Sequence, residues 1–260
     1  MKILIVGDIV GAPGRQATAR VVTRWRAAEK IDFVVANGEN AAGGRGLTRA
    51  LAQELMEIGV DVLTLGDHTW DQKDARAFLD KEERVIRPLN FSAESPGRGI
   101  VTVSTTSGVR ITVVNAIGRV FMKPVDCPFH ALDRVLKEEP SIARTIIVDF
   151  HAEATSEKIA MGRYLDGRVS VIVGTHTHVQ TSDEAILPKG SAYITDLGMT
   201  GPKDSVIGME VDGVTRAMIT GIPERFEVAK NGVCLEGVVV DVEEATGTPR
   251  RITRIREFIE

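Results

Sequence analysis

Four of the five histidines in this 260-residue chain, His68, His151, His176 and His178, fall directly behind strand-like apolar runs. The densest case is Val169-Ser-Val-Ile-Val-Gly-Thr-His-Thr-His178, an apolar run that stops at a glycine and delivers two imidazoles in alternate positions. Residues i and i+2 of an extended strand point to one face, so His176 and His178 are expected to present both rings to one spot, which suits a metal ion. Upstream the same placement recurs with other ligand types: Asp8 follows residues 2–7, Glu39-Asn40 follows 33–37, Asp67-His68 follows 61–65, and His151 follows 145–149. Each has an ordinary explanation taken alone: Asp8 as a helix cap, Glu39-Asn40 as a solvated turn, Asp67-His68 as a surface pair. Five repetitions at one structural place favour a shared site.

Several carboxylates and imidazoles gathered in one pocket repel one another unless neutralised, because like charges a few ångströms apart do not ionise cheaply together. Bound cations resolve the conflict. Two of them, bridged by one carboxylate, can clamp a nucleophile and a phosphoryl group for in-line displacement. The mixture of carboxylate, amide and imidazole without thiolate fits manganese or iron at least as well as zinc.

The elements that must position these residues are predicted as alternating strands and helices. Short apolar runs at 2–7, 33–37, 61–65, 145–149 and 169–174 read as buried strands. Helices are expected over 15–30, 48–58 (Thr48 as N-cap), 71–79, 129–138 and 156–165, with Gly11 to Gly14 as a turn before the first. Residues 100–104 and 109–116 read as a hairpin around Ser107-Gly108; 192–195, 225–229, 232–242 and 251–258 read as further strands, with a tight hairpin at Asn231-Gly232 and a loop over 198–205. Alternation followed by clustered strands points to two sheets sandwiched by helices in one domain spanning residues 1–260. In such sheets ligand sites lie outside the carboxyl ends of the strands, where all five polar tips are placed. Gly7, Gly11 and Gly14 miss the G-x-G-x-x-G spacing, which argues against a dinucleotide fold. The Gly-rich segment 41–46 reads as a mobile loop able to approach a phosphate, and Arg15, Arg45 and Arg119 lie near expected loops where they could do the same.

Composition narrows the function classes. A net charge of −4 without a Lys/Arg run gives no general attraction to long nucleic acid. No apolar segment approaches a membrane span, and the opening run meets Asp8 too early for a secretory signal. Cys127 and Cys234 stand far apart in no metal spacing, which fits structural thiols in a reducing cytoplasm.

Gly7-Asp8, Gly38-Glu39-Asn40, Gly66-Asp67-His68, His151 and Gly174-Thr-His-Thr-His178 resemble, in that order, the motif series of the calcineurin-like metallophosphoesterases. Gly38-Glu-Asn-Ala-Ala42, His151-Ala-Glu-Ala-Thr-Ser-Glu-Lys158, residues 174–180 and Thr195-Asp-Leu-Gly-Met-Thr-Gly-Pro202 resemble its bacterial YmdB-like branch over nearly the whole chain. The resemblance implies a four-layer αββα sandwich, two mixed β-sheets flanked by helices, with a dinuclear iron or manganese centre. Asp8, Asn40 and His178 would bind one ion, Asp67, His151 and His176 the other, and Glu39 would bridge. It further implies a phosphodiesterase acting on small nucleotides such as 2',3'-cyclic AMP by attack of a metal-bridging hydroxide. His68 would be the general acid, with Asp149 and Asp196 orienting ligand imidazoles from behind. A homo-oligomer, dimer or tetramer, and a link to RNA turnover or signalling belong to the same implication.

Two positions depart from the wider superfamily. Asp8-Ile-Val10 lacks the histidine of Asp-x-His, as in the YmdB-like branch, and Asn40 stands in for it. Asp67 occupies the place of the asparagine in Gly-Asn-His, adding a negative charge that tightens metal holding but repels an incoming phosphate. The rival expectation is therefore a metal-containing module that binds a nucleotide or protein partner with little turnover. A metal-dependent amidase fits the motif order less well.

Overall fold

The computed structural model describes residues 1–259. The chain begins β1 (Lys2–Val6), β2 (Asp8–Ile9), α1 (Gly11–Ala28), β3 (Phe33–Asn37), α2 (Arg49–Glu57), β4 (Val62–Thr64), α3 (Ala75–Leu79) and β5 (Val85–Ile86). It continues β6 (Ile100–Ser104), β7 (Arg110–Ile117), α4 (Pro128–Glu138), β8 (Thr145–His151), α5 (Thr155–Leu165) and β9 (Val171–Thr175). The last elements are β10 (Ala185–Ile186), β11 (Ala192–Ile194), β12 (Met199–Pro202), α6 (Val211–Thr220), β13 (Val233–Val242) and β14 (Pro249–Phe258).

These strands form two mixed sheets. In the first, β1, β3, β4 and β5 run parallel, while β13 joins β1 antiparallel, carries β14 on its other edge and pairs β12 beyond the end of β1. In the second, β7, β8, β9 and β11 run parallel between the antiparallel edges β6 and β10. Alternation along each buried strand divides its side chains between two cores. Ile3, Ile5, Phe33 and Val35 meet Ile111, Val113, Ile147 and Val171 between the sheets. Leu4, Val6, Val34 and Ala36 pack outward against Val21, Val22 and Leu55 of α1 and α2. On the far side Val114, Val148 and Ile172 pack against Leu132, Met161 and Leu165 of α4 and α5. Both faces of the central strands are apolar, so they read as continuous runs, and the four layers are the αββα sandwich expected.

Several boundaries differ from the sequence reading. Gly11 opens α1 instead of forming a separate turn, with Gly11 N donating to Asn40 O at 2.9 Å. The helix expected over 71–79 is confined to α3. The supposed loop 198–205 contains β12, whose Met199 and Thr200 pair in parallel with Asp8 and Ile9; Gly and Pro hid a strand whose backbone is claimed by two neighbours. Residues 225–229 supply only an isolated bridge, Val228 to Met209, so Asn231-Gly232 is not a tight hairpin; β13 turns instead against β12, far back in sequence. Helix α6 was not foreseen, because much of its apolar surface, including Met218 and Ile219, faces out.

Candidate metal centre

The carboxyl ends of β1, β3 and β4 in one sheet and of β8 and β9 in the other meet at one edge of the sandwich. Glu39, Asp67, His151 and His176 offer ligand atoms that all lie within 4.8 Å of one another. His151 Nε2 lies 3.0 Å from Glu39 Oε1 and 3.2 Å from Asp67 Oδ1, and His176 Nδ1 lies 3.4 Å from the same Asp67 oxygen. The two imidazoles are edge to face, 4.7 Å apart. Asp8, Asn40 and His178 form an adjoining group: Asn40 Nδ2 is 3.2 Å and Asp8 Oδ1 3.8 Å from His178 Nε2. All seven residues singled out as ligands are thus brought together, Asp8, Glu39 and His151 with no exposure at all.

Space for this cluster comes from Gly66, where a Cβ would stand 2.3 Å from the His151 ring and 2.4 Å from Glu39 Oε2. Only glycine lets β4's tip come so close.

The histidines do not sit on an extended strand as expected. His176 and His178 lie beyond the end of β9 with φ of +98° and +64°, a region L-residues enter at a cost of about 1–3 kcal/mol each. A polar clamp holds this turn. Asp196 Oδ2 accepts from Thr177 N at 3.3 Å, Thr177 Oγ1 at 2.6 Å and Lys158 Nζ at 2.6 Å, with both partners of the ion pair buried. His176 N donates to Asp8 Oδ2 at 3.2 Å, tying the turn to the first sheet.

Ring orientation is set from behind. His151 Nδ1 contacts Thr175 Oγ1 at 3.0 Å, and Thr175 donates to Asp149 Oδ1 at 2.7 Å, so Nδ1 donates to Thr175 and Nε2 faces the cluster. Asp149, itself buried, also accepts from Asn37 of β3 and Thr64 of β4 and so links the two sheets. His178 Nδ1 is fixed in the same way by Ile207 O at 3.0 Å, again freeing Nε2. His176 differs: its Nε2 is 3.0 Å from Glu153 Oε2 and Nδ1 faces inward.

The charges are unbalanced. Burial pushes the Asp8 carboxyl up to about 7, a rise to which Glu39 and Asp196 add and which His151 opposes. Burial also acts upward on Glu39 and Asp67, but His151 overrides it in both, with His176 helping at Asp67, and holds them below the ordinary carboxylate range. Burial would strip the proton from His151, yet the flanking carboxylates, Glu39 first, raise it well above its usual value. A protonated His151 therefore stands where positive charge is wanted. Even so Asp8 Oδ1, wholly buried, finds no hydrogen-bond donor, and Glu39 Oε1 has none well aligned. Oxygen and nitrogen donors in this number, with lone pairs left over, fit metal ions.

A model of the YmdB-like protein family matches residues 4–255. The chain belongs to the YmdB-like family. It is 46% identical over 255 residues to a 2',3'-cyclic-nucleotide 2'-phosphodiesterase of Bacillus subtilis (strain 168), covering 98% of this chain and 96% of the relative. The crystal structure of a hypothetical protein from Thermus thermophilus superposes with a TM-score of 0.93 at 43% identity, covering 99% of each chain. That of a novel phosphatase from Mycoplasma pneumoniae superposes with a TM-score of 0.92 at 36% identity, covering 99% of this chain and 93% of that one. By kinship and fold this YmdB-like chain is a hydrolytic enzyme of the phosphoesterase type.

His68 lies beside the YmdB-like cluster but outside it. Its backbone N donates to Glu39 Oε2 at 3.1 Å, while its Nδ1 is 2.9 Å from Asp71 Oδ2 and 4.0 Å from Asp67 Oδ2. The arginines are occupied elsewhere or point away: Arg15 bonds Ala41 O and Glu54, Arg45 pairs with Asp71, and Arg119 is exposed, its backbone N donating to Glu157. The glycine segment 41–46 is closed by its own turns, including Ala42 N to Gly46 O at 3.0 Å. Sequence reasoning missed Glu153, Lys158, Asn37, Thr64 and Thr175. Lys158 of α5 gave no signal of its burial, since it stands among polar neighbours that hide its depth. No helix among the described residues is long and apolar enough to cross a membrane.

Proposed function

We propose that this protein is a dinuclear metal-dependent phosphodiesterase that hydrolyses small phosphodiesters, with 2',3'-cyclic nucleotides as its substrates. The observation that carries this reading is the convergence of Glu39, Asp67, His151 and His176 within 4.8 Å beside a buried Asp8 oxygen that has no donor. The activity named for the Bacillus relative supports the substrate class. Asp8, Asn40 and His178 would hold one ion and Asp67, His151 and His176 the other, with Glu39 between them; iron or manganese suits these donors. Bound there, the ions would acidify water and stabilise charge on the phosphoryl oxygens.

The chain's own residues prepare that chemistry. Thr175 and the Ile207 carbonyl keep the protons of His151 and His178 on Nδ1, holding Nε2 toward the centre. His68, with Nδ1 against Asp71, keeps Nε2 available to protonate the leaving ribose oxygen, a role worth about 10²–10⁴ in rate. Thr175→Val, which keeps the volume but loses the hydroxyl, should lower metal affinity by about 10–100-fold. Chelator competition measures it; an affinity within twofold of the wild type would show that Thr175 does not orient the ring.

Asp67→Asn decides between turnover and holding. With both proteins loaded in Mn²⁺, the wild type should hydrolyse 2',3'-cyclic AMP and contain two ions per chain by elemental analysis. Turnover appearing only in Asp67→Asn would instead mark the native protein as a binding module. The proposal extends to one metallophosphoesterase domain over residues 1–260 in the cytoplasm, to a homo-oligomer, dimer or tetramer, and to a part in RNA turnover or signalling.

A further inference from the structure

Beside Asp67 opens a cleft of about 640 Å³, a size typical of small-molecule sites. Trp70, just past the β4 tip, and Phe91 form one wall, their ring centroids 6.1 Å apart and tilted by 33°. At that separation the rings touch and leave no slot between them, so they make a single aromatic surface on which a flat group can lie. Pro124 and Val125 of the connection between β7 and α4 face it, with Lys123 at the rim.

The walls are built, not incidental. Buried Asn90 donates to Ile117 O at 2.8 Å and Asp126 O at 2.9 Å and accepts from Ile117 N at 2.9 Å, which fixes the connection against the loop that carries Phe91. Arg87 fixes that loop from below, donating to Pro88 O at 2.8 Å, Ser95 O at 3.0 Å and Pro96 O at 3.1 Å. The cleft is therefore preformed. Its inner end is Asp67, a member of the metal cluster, so an occupant that reaches it must carry an anion toward the ions and a flat, weakly polar group away from them.

We infer that this cleft is the nucleobase subsite, with Trp70 and Phe91 stacking on the base of a cyclic nucleotide whose phosphate lies at the metal centre. The inference rests on the phosphodiesterase reading and adds specificity-determining residues to it. Stacking on such a surface strengthens binding by about 5–150-fold per base.

The test compares 2',3'-cyclic AMP with methyl riboside 2',3'-cyclic phosphate, which has the same reacting group and no base, on the metal-loaded protein. The wild type should favour the nucleotide by about 10-fold or more in kcat/KM, expressed in KM. Trp70→Ala and Phe91→Leu should each cut that preference by about 5-fold or more; the leucine keeps the wall filled while removing the ring. Equal kcat/KM for the two substrates in the wild type, or a preference that neither variant moves, would overturn the subsite and leave the phosphodiesterase intact. If neither compound is turned over, the phosphodiesterase reading fails, and adenosine decides the subsite alone. The chain has two tryptophans, so in Trp25→Phe the emission reports Trp70. Saturable quenching that Phe91→Leu weakens sustains the subsite, and no quenching ends it.

Discussion

Exchange of Glu39 for glutamine should lower turnover of 2',3'-cyclic AMP by at least about 10²–10³-fold while the fold survives. Glu39 is fully buried, its backbone N donates to Asn37 Oδ1 at 3.1 Å, and its Oε2 accepts from His68 N at 3.1 Å. An amide of the same shape keeps those positions but removes the charge that the proposed bridge supplies to two ions. It also takes away the carboxylate that pairs with buried His151 at 3.0 Å, so the metal-free variant should melt below the metal-free wild type. Turnover is to be measured beside metal content and melting temperature. Activity within tenfold of wild type at full loading would remove Glu39 from the mechanism; a variant unfolded at the assay temperature would assign it to the fold.

The second large effect is a coupling between metal and protons. Asp8 ionises near 7 in the folded, metal-free protein against an ordinary 3.8. The fold thus favours its neutral form, and the penalty for ionising it grows from pH 4 upward to on the order of 4 kcal/mol above pH 7. His151 is raised above its ordinary 6.5, so the stability its charge gives is full below that value and is lost as pH climbs through the folded value. Both groups weaken the metal-free protein on the alkaline side, and both must give up a proton to bind metal. Metal loading should therefore release more protons at pH 6 than at pH 8, the share of Asp8 falling away as pH passes about 7. Calorimetry in two buffers of different ionisation enthalpy counts them, and the rise in melting temperature on adding Mn²⁺ should grow with pH. Asp8→Asn should release about one proton fewer at pH 6 and stabilise the metal-free protein at pH 8 by roughly 2–4 kcal/mol. A pH-independent affinity between 6 and 8 would contradict the account.

Strand tips were legible because buried parallel strands are apolar on both faces, so the first acid, amide or imidazole after each run stands out. Asp8, Glu39, Asn40, Asp67, His151, His176 and His178 were all found this way, and all lie at one edge. What positions them was less visible. The alternate spacing of His176 and His178 suggested a strand, but their closeness comes from a left-handed turn clamped by Lys158 and Asp196, partners from two other elements. Thr175 and Asn37 act through side-chain hydrogen bonds that no periodicity marks. Strand β12 escaped because pairing, not side-chain pattern, makes it a strand, and α6 because its exposed apolar side chains blur the usual stripe.

The pairing of β1 with β13, which sets Lys2 opposite Asp241, also fixes an order of events. A growing polypeptide emerges with β1 early and β13 late, and contacts of such sequence separation close slowly. Until β13 arrives, β1 has only β3 beside it, and β12, which pairs with both β13 and Asp8, lacks one of its two neighbours. All seven candidate ligands thus precede β13 in the chain, and β13 is the strand that joins β1 to β12 behind Asp8. Closure of the candidate centre is therefore expected among the later events of folding, once β13 has paired.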